Sequence, residues 1–159
     1  MAPHDVSIFQ YITNSFPNNI QAKGSTFLQK GIPDSTMTTL EYESGVEGHI
    51  FVSWLHPFKE HRFVVIGSKG MIHFDDSIKG KPLLYYNKNI KWENNKPYIN
   101  KGSVVNIQYE NSMPLTEEIK YFISHLDGSV LEFSNSASAV EVMQVLTKAS
   151  QNLCKGNIS

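Results

Sequence analysis

The sequence predicts an α+β fold: an open, mainly antiparallel sheet of about six to eight strands, with helices packed on one face. Three observations point there. Residues 38–54 and 62–74 each read as a β-hairpin, with strand-like residues on both sides of a glycine-containing turn. Two apolar patterns near the C-terminus repeat at helical spacing. The strands are linked mostly by hairpins, which makes neighbours antiparallel.

The first element is a short amphipathic helix over residues 5–13, with Val6, Phe9 and Ile12 on one face and Ile8 beside them. Asn14-Ser15-Phe16-Pro17 closes it and leaves His4 at or just before its N-terminus. The alternation of Asn19-Ile20-Gln21-Ala22-Lys23 then predicts a strand ended by Gly24, and residues 25–33 read as loop. The first hairpin runs from Thr38 to Tyr42, turns through Ser44-Gly45 and returns from Val46 to Trp54. Its second strand sets Val46, Ile50, Val52 and Trp54 on one face, and Glu47, His49, Phe51 and Ser53 on the other.

The second hairpin joins residues 62–66 to 71–74 through Gly67-Ser68-Lys69-Gly70. A strand followed by Gly-x-x-Gly also opens a phosphate loop, but no helical pattern follows and the lysine-serine pair is missing. Residues 75–102 are rich in Lys, Asn, Tyr and Pro, with short strand-like pieces at 83–86 and 90–92, and residues 104–109 read as a further strand. Leu115, Ile119, Phe122, Ile123 and Leu126 define a helix that starts near Pro114 and is capped by Gly128. A last helix starts near Ser138, whose spacing to Glu141 fits a capping box, buries Val142, Leu146, Ala149 and Leu153, and frays near Gly156. The other face of the sheet carries Trp, Tyr, Phe and Ile side chains that water covers badly, which implies a protein partner.

With 159 residues, 40% of them hydrophobic, the chain is expected to form a single domain over residues 1–159. Fourteen basic and fifteen acidic residues give a formal net charge of -1, and no run of either sign is long enough to draw nucleic acid or anionic lipid. One cysteine, Cys154, makes no internal disulfide, and no apolar run reaches the roughly 20 residues of a membrane span. The N-terminus lacks signal-peptide order. A cytoplasmic protein without membrane or nucleic-acid partners is expected.

Two places carry candidate chemistry. His4 and Asp5 stand at the head of the first helix, where spacing alone describes a frayed surface pair. The loop from Trp54 to Arg62 gathers aromatic, cationic and imidazole groups at a sheet edge; it reads equally as a small-molecule site and as a solvated loop with its Trp in the core. His49, His56, His61 and His73 lack the spacing of a zinc site, and Cys154 lies on a helix face without a nucleophile's surroundings.

Taken in order, several motifs resemble the C-terminal part of Gfo/Idh/MocA oxidoreductases. They are the run Ala2-Pro3-His4-Asp5-Val6-Ser7-Ile8, Ser53-Trp54-Leu55 with Pro57 and Lys59, and Val64-Val65-Ile66-Gly67-Ser68-Lys69-Gly70. Pro114-Leu115 with Glu118 and Phe122, and Ala149-Ser150, complete the set. The nearest branch is the UDP-N-acetyl-hexosamine (or uronate) 3-dehydrogenases, and the resemblance covers nearly the whole chain.

The resemblance implies an α+β domain that binds substrate and makes subunit contacts beside a Rossmann domain. It implies that His4 moves the proton of the hydroxyl being oxidised, with Asp5, Trp54 and Lys59 as substrate-binding residues and NAD or NADP as the full-length enzyme's cofactor. The family's glycine-rich cofactor turn and its Glu-Lys-Pro are missing: Lys81-Pro82 follows Gly80, and Lys96-Pro97 follows Asn95. The expectation is a substrate-binding and assembly half without its own cofactor. It is inactive alone, needs the Rossmann domain in cis or in trans, and forms a homo-oligomer through the open sheet face. A free-standing, non-catalytic binding or dimerisation module is the alternative.

Overall fold

The computed structural model describes residues 2–100, 102–110 and 112–155, the side chains of Cys154 and Lys155 excepted. Gly156, where the last helix was expected to fray, and the Cys154 side chain lie outside the described residues. Among the described residues the order is α1 (Pro3–Thr13), β1 (Asn19–Ser25), β2 (Ser35–Glu41), β3 (Glu47–Ser53), β4 (Arg62–Gly67) and β5 (Gly70–Asp75). There follow β6 (Leu83–Tyr86), β7 (Asn89–Glu93), β8 (Lys96–Asn100), β9 (Val104–Asn106), α2 (Pro114–Ser124) and α3 (Ser136–Lys155). The chain divides into two compact units, one spanning Met1–His56 and Ser124–Ser159, the other Pro57–Ile123.

In the first unit β1, β2 and β3 form an antiparallel sheet in that order, with Ile20 opposite Leu40 and Leu40 opposite Gly48. Strict alternation puts Ile20, Ala22, Leu40 and Ile50 on one face, where they are buried with Val6 of α1 and Val145 and Ala149 of α3. Gln21, Lys23, His49 and Phe51 take the exposed face. Side chains tie the layers together: Asn152 Nδ2 donates to the Ile20 carbonyl at 2.7 Å, and Gln10 of α1 donates to the Glu141 carboxylate of α3.

The second unit holds an antiparallel sheet of order β4-β5-β6-β9 and a separate β7-β8 ribbon. Its Gly67-x-x-Gly70 is the tight turn of the β4–β5 hairpin, paired Gly67 to Gly70. A side chain at position 70 would meet the Tyr85 ring at 2.6 Å, and the Tyr85 hydroxyl donates to the Lys69 carbonyl. The motif is therefore filled by an aromatic ring.

Five expectations need correction. The structure adds β8, whose Lys96-Pro97-Tyr98 start hid it, and shortens the strand expected over 104–109 to Val104–Asn106. The α3 N-cap is Asn135, whose Oδ1 accepts the Ser138 N–H at 2.9 Å; Ser138 lies inside the first turn, so the capping box with Glu141 does not form. Leu115, Ile119, Phe122 and Ile123 are all exposed along α2, which buries no residue. Trp54, placed with the core face, is 69% exposed, because β3 ends at Ser53 and the chain bends away before it.

Candidate functional site

His4 and Asp5 stand in the first turn of α1, which starts at Pro3, a residue that loses nothing there because first-turn N–H groups have no helical partner. Asp5 complements the positive end of the helix dipole, and no side chain caps the N-terminus. Ser7 Oγ donates to the His4 carbonyl at 2.8 Å and stiffens this turn. Val6 buries beneath it, and the Tyr11 ring meets the Phe133 ring at a tilt of 60°, with centroids 5.5 Å apart. Asn14, in the left-handed conformation, ends the helix by donating to the Gln10 carbonyl. His4 is exposed and Asp5 half-buried on a helix anchored along its other side.

Trp54 leaves the same sheet at the end of β3. Its N–H donates to the Asp34 carbonyl at 2.9 Å, while Leu55 N–H donates to Ser53 Oγ at 3.1 Å. Asp34 is itself 6% exposed, and its Oδ2 accepts Phe27 N–H at 2.6 Å and Leu28 N–H at 2.8 Å. The composition of the loop concealed this residue. The usable signal was the Pro33-Asp34 pair closing a loop before a strand, a position where a short carboxylate can bond nearby backbone N–H groups.

His4, Asp5 and Trp54 belong to the first unit; Lys59, exposed, belongs to the second. Among the described residues no hydrogen bond or ion pair joins His4 to Trp54. The remaining histidines are dispersed: His49 lies 3.5 Å from Glu47, and His61 3.7 Å from Asp76. No three His, Cys, Asp or Glu side chains among the described residues gather as a metal requires. A shallow depression of 540 Å³ along the outer face of α3, lined by Ala139, Val140, Met143 and Thr147, contains none of the candidate residues.

Asp76 is the centre of a polar cluster in the second unit. The Lys81 ammonium at 2.5 Å, and after it the His61 ring, hold its carboxyl below the usual carboxylate range. Asp75 is lowered mainly by the Ser77 hydroxyl. These groups tie loops to the hairpin and touch none of the candidate site residues.

Residues 1–73 match the model of the GFO/IDH/MocA C-terminal domain. No curated protein matches the chain in sequence. Solved structures match it along nearly its whole length. UDP-N-acetylglucosamine 3-dehydrogenase GnnA from Acidithiobacillus ferrooxidans is 12% identical, with a TM-score of 0.81 over 98% of this chain and 46% of that one. An aldose-aldose oxidoreductase from Caulobacter crescentus, complexed with glycerol, is 13% identical, with a TM-score of 0.76 over 98% and 44%. The WlbA dehydrogenase from Bordetella pertussis, in complex with NADH and UDP-GlcNAcA, is 15% identical, with a TM-score of 0.65 over 98% and 41%. The chain spans less than half the length of each of these proteins. The motif-based resemblance and the family model agree over residues 1–73, and along the rest of the chain the fold is the one shared with these solved structures.

Proposed function

We propose that this C-terminal domain, acting as one unit over residues 1–159, is the substrate-binding and assembly half of an NAD(P)-dependent sugar or nucleotide-sugar dehydrogenase in the cytoplasm. The observation that carries the reading is the fold shared over 98% of the chain with a UDP-N-acetylglucosamine 3-dehydrogenase. Among the described residues no helix is long and apolar enough to cross a membrane.

Oxidising a secondary alcohol requires a base at the hydroxyl, and His4 is the residue we assign to it. Its exposure at the head of a helix whose far side is packed leaves the imidazole open to a ligand while its backbone is held. Asp5 and Trp54 are assigned to sugar binding: a carboxylate accepts sugar hydroxyls, and an exposed indole offers a flat apolar face. Lys59, an exposed cation, is assigned to an anionic group of the same class of ligand.

The residues present do not fit a nicotinamide dinucleotide. Both Gly-x-x-Gly stretches of the sequence lie in hairpins, Gly45–Gly48 leading into β3 and Gly67–Gly70 forming a turn covered by Tyr85, and neither has a helix N-terminus behind it to receive a pyrophosphate. The cofactor therefore belongs to a Rossmann domain supplied in cis or in trans. Exposed Val64, Ile66 and Val104, on one face of the β4-β5-β6-β9 sheet, support self-association through that face. Sedimentation giving an 18.0 kDa monomer at high concentration would speak against that part.

The test joins the chain to a Rossmann domain of a UDP-sugar dehydrogenase, by mixing and by fusion, and follows NADH formation with UDP-sugars. Turnover is expected only in the joined protein, with loss of at least a hundredfold in kcat for His4→Ala, the lower end of general-base contributions. Unchanged turnover in His4→Ala would overturn the assignment.

A further inference from the structure

His73 of β5 lies on the sheet face that carries Val64, Ile66 and Val104. It stands opposite Val64 of β4 on one side and Leu84 of β6 on the other, so the alternation that exposes Val64 turns the imidazole to the same face. β5 is an inner strand of the four. The ring is half-buried, and its Nε2 is buried with no hydrogen-bond partner among the described residues.

An orphaned ring nitrogen costs far less on a neutral imidazole than on a charged one. Protonation turns both nitrogens into donors and adds a charge that must be hydrated or paired. With Nε2 shut in, a cationic His73 reaches water only through the part of its ring that opens on the sheet face. The charged groups around it do not replace that water. On β4, Arg62 is paired with Glu60 at 3.3 Å. On β5, Asp75 gives an oxygen to the Ser77 N–H and hydroxyl. On β6, Tyr86 faces the same way, with the Lys88 ammonium 5.3 Å from its ring centroid, and β9 adds Val104 and Asn106, both uncharged. Asp75 attracts a cation at position 73, while Arg62 and Lys88 repel one, and all three do so with or without a second copy. The change that association brings is the loss of water.

We propose that His73 makes association through this face acid-sensitive: neutral, it lies inside the apolar interface between two copies of this chain, and protonated, it drives them apart. This rests on the reading that the β4-β5-β6-β9 face self-associates. In an isologous dimer both copies contribute the same patch, so two imidazolium groups lose their water together. Histidine is the side chain whose charge changes between pH 5 and 8, where ordinary carboxylates stay ionised.

Sedimentation equilibrium of the full chain at about pH 7.5 and about pH 5.5, either side of the ordinary histidine range, tests this, with circular dichroism showing the protein folded at each. The parent is expected to associate at the higher pH and roughly ten times more weakly, or worse, at the lower. His73→Gln and His73→Phe, which take no charge, are expected to associate equally at both. His61→Gln, at the histidine beside Asp76, is expected to keep the acid response. Equal association of the parent at both pH values overturns the proposal and leaves the self-association reading standing. A parent that stays an 18.0 kDa monomer at high concentration at either pH overturns both. An acid response that survives in both His73 variants, or vanishes in His61→Gln, belongs to another group and overturns the proposal. Failure of both folded His73 variants to associate at the higher pH overturns it too, because the ring rather than its charge then holds the interface.

Discussion

Phe9 of α1 lies directly over Gly48 of β3: a methyl group at position 48 would come within 2.4 Å of the Phe9 ring. Gly48 faces the core beside Leu40, and the missing side chain is the space into which the helix that carries His4 settles.

Gly48→Ala is therefore expected to cost about 1–3 kcal/mol, the usual range for overpacking a filled core. Denaturant unfolding measures it. Combining it with Phe9→Ala should cost less than the sum of the two, since removing the ring removes the clash. A Gly48→Ala protein as stable as the parent would show that the ring is not held there.

Leu40 has no exposed surface, and Leu115 is 65% exposed. Leu40→Ala should lose about 2–5 kcal/mol through transfer and cavity costs. Leu115→Ala should stay within about 0.5 kcal/mol, as for a surface residue. Periodicity alone assigns both to a buried face, so the pair separates pattern from packing.

Asn135→Ala should destabilise by about 0.5–2 kcal/mol, because the Ser138 N–H loses its cap. Ser138→Ala should cost less, since its hydroxyl only donates back to the Asn135 carbonyl. Thermal unfolding of the two variants side by side decides which residue is the cap.

The Asp76–Lys81 pair gives the second unit a pH signature. Asp76 is held below the ordinary carboxylate range, so its contribution is complete above that range and is lost as pH falls through the lowered folded value. Lys81 is raised by Asp76, so its contribution is complete below the ordinary lysine range and is lost as pH rises through the raised value. Hydrogen exchange of residues 76–81 should slow between these limits and quicken on either side. Asp76→Asn should weaken the acid limb and leave the part that Asp75 contributes through Ser77. Both side chains are about one-third exposed, so solvent screening keeps the effect local.

Much of the fold is legible in local pattern. The alternation at Ile20 and Ala22, the glycine turns of both hairpins, and Val142, Leu146, Ala149 and Leu153 on α3 depend on periods of two and 3.6 residues. β8 escaped because its edge ribbon starts on Lys-Pro and shows little apolar alternation. The candidate site is legible only in part. His4 and Asp5 follow from a helix start, whereas the Asp34 link to Phe27, Leu28 and Trp54 joins residues up to twenty positions apart, which no periodicity records.

By itself the sequence determined the element types, the antiparallel hairpins and the order of motifs, because these depend on neighbours a few residues apart. The tertiary structure alone decided what covers what. It exposed Trp54 and the α2 face, gave the cap to Asn135, laid Tyr85 over the Gly67–Gly70 turn, and used Gly48 to seat α1. Burial is a property of the elements that arrive from elsewhere in the chain, and two residues with the same local pattern part company when one element is covered and the other is left in water.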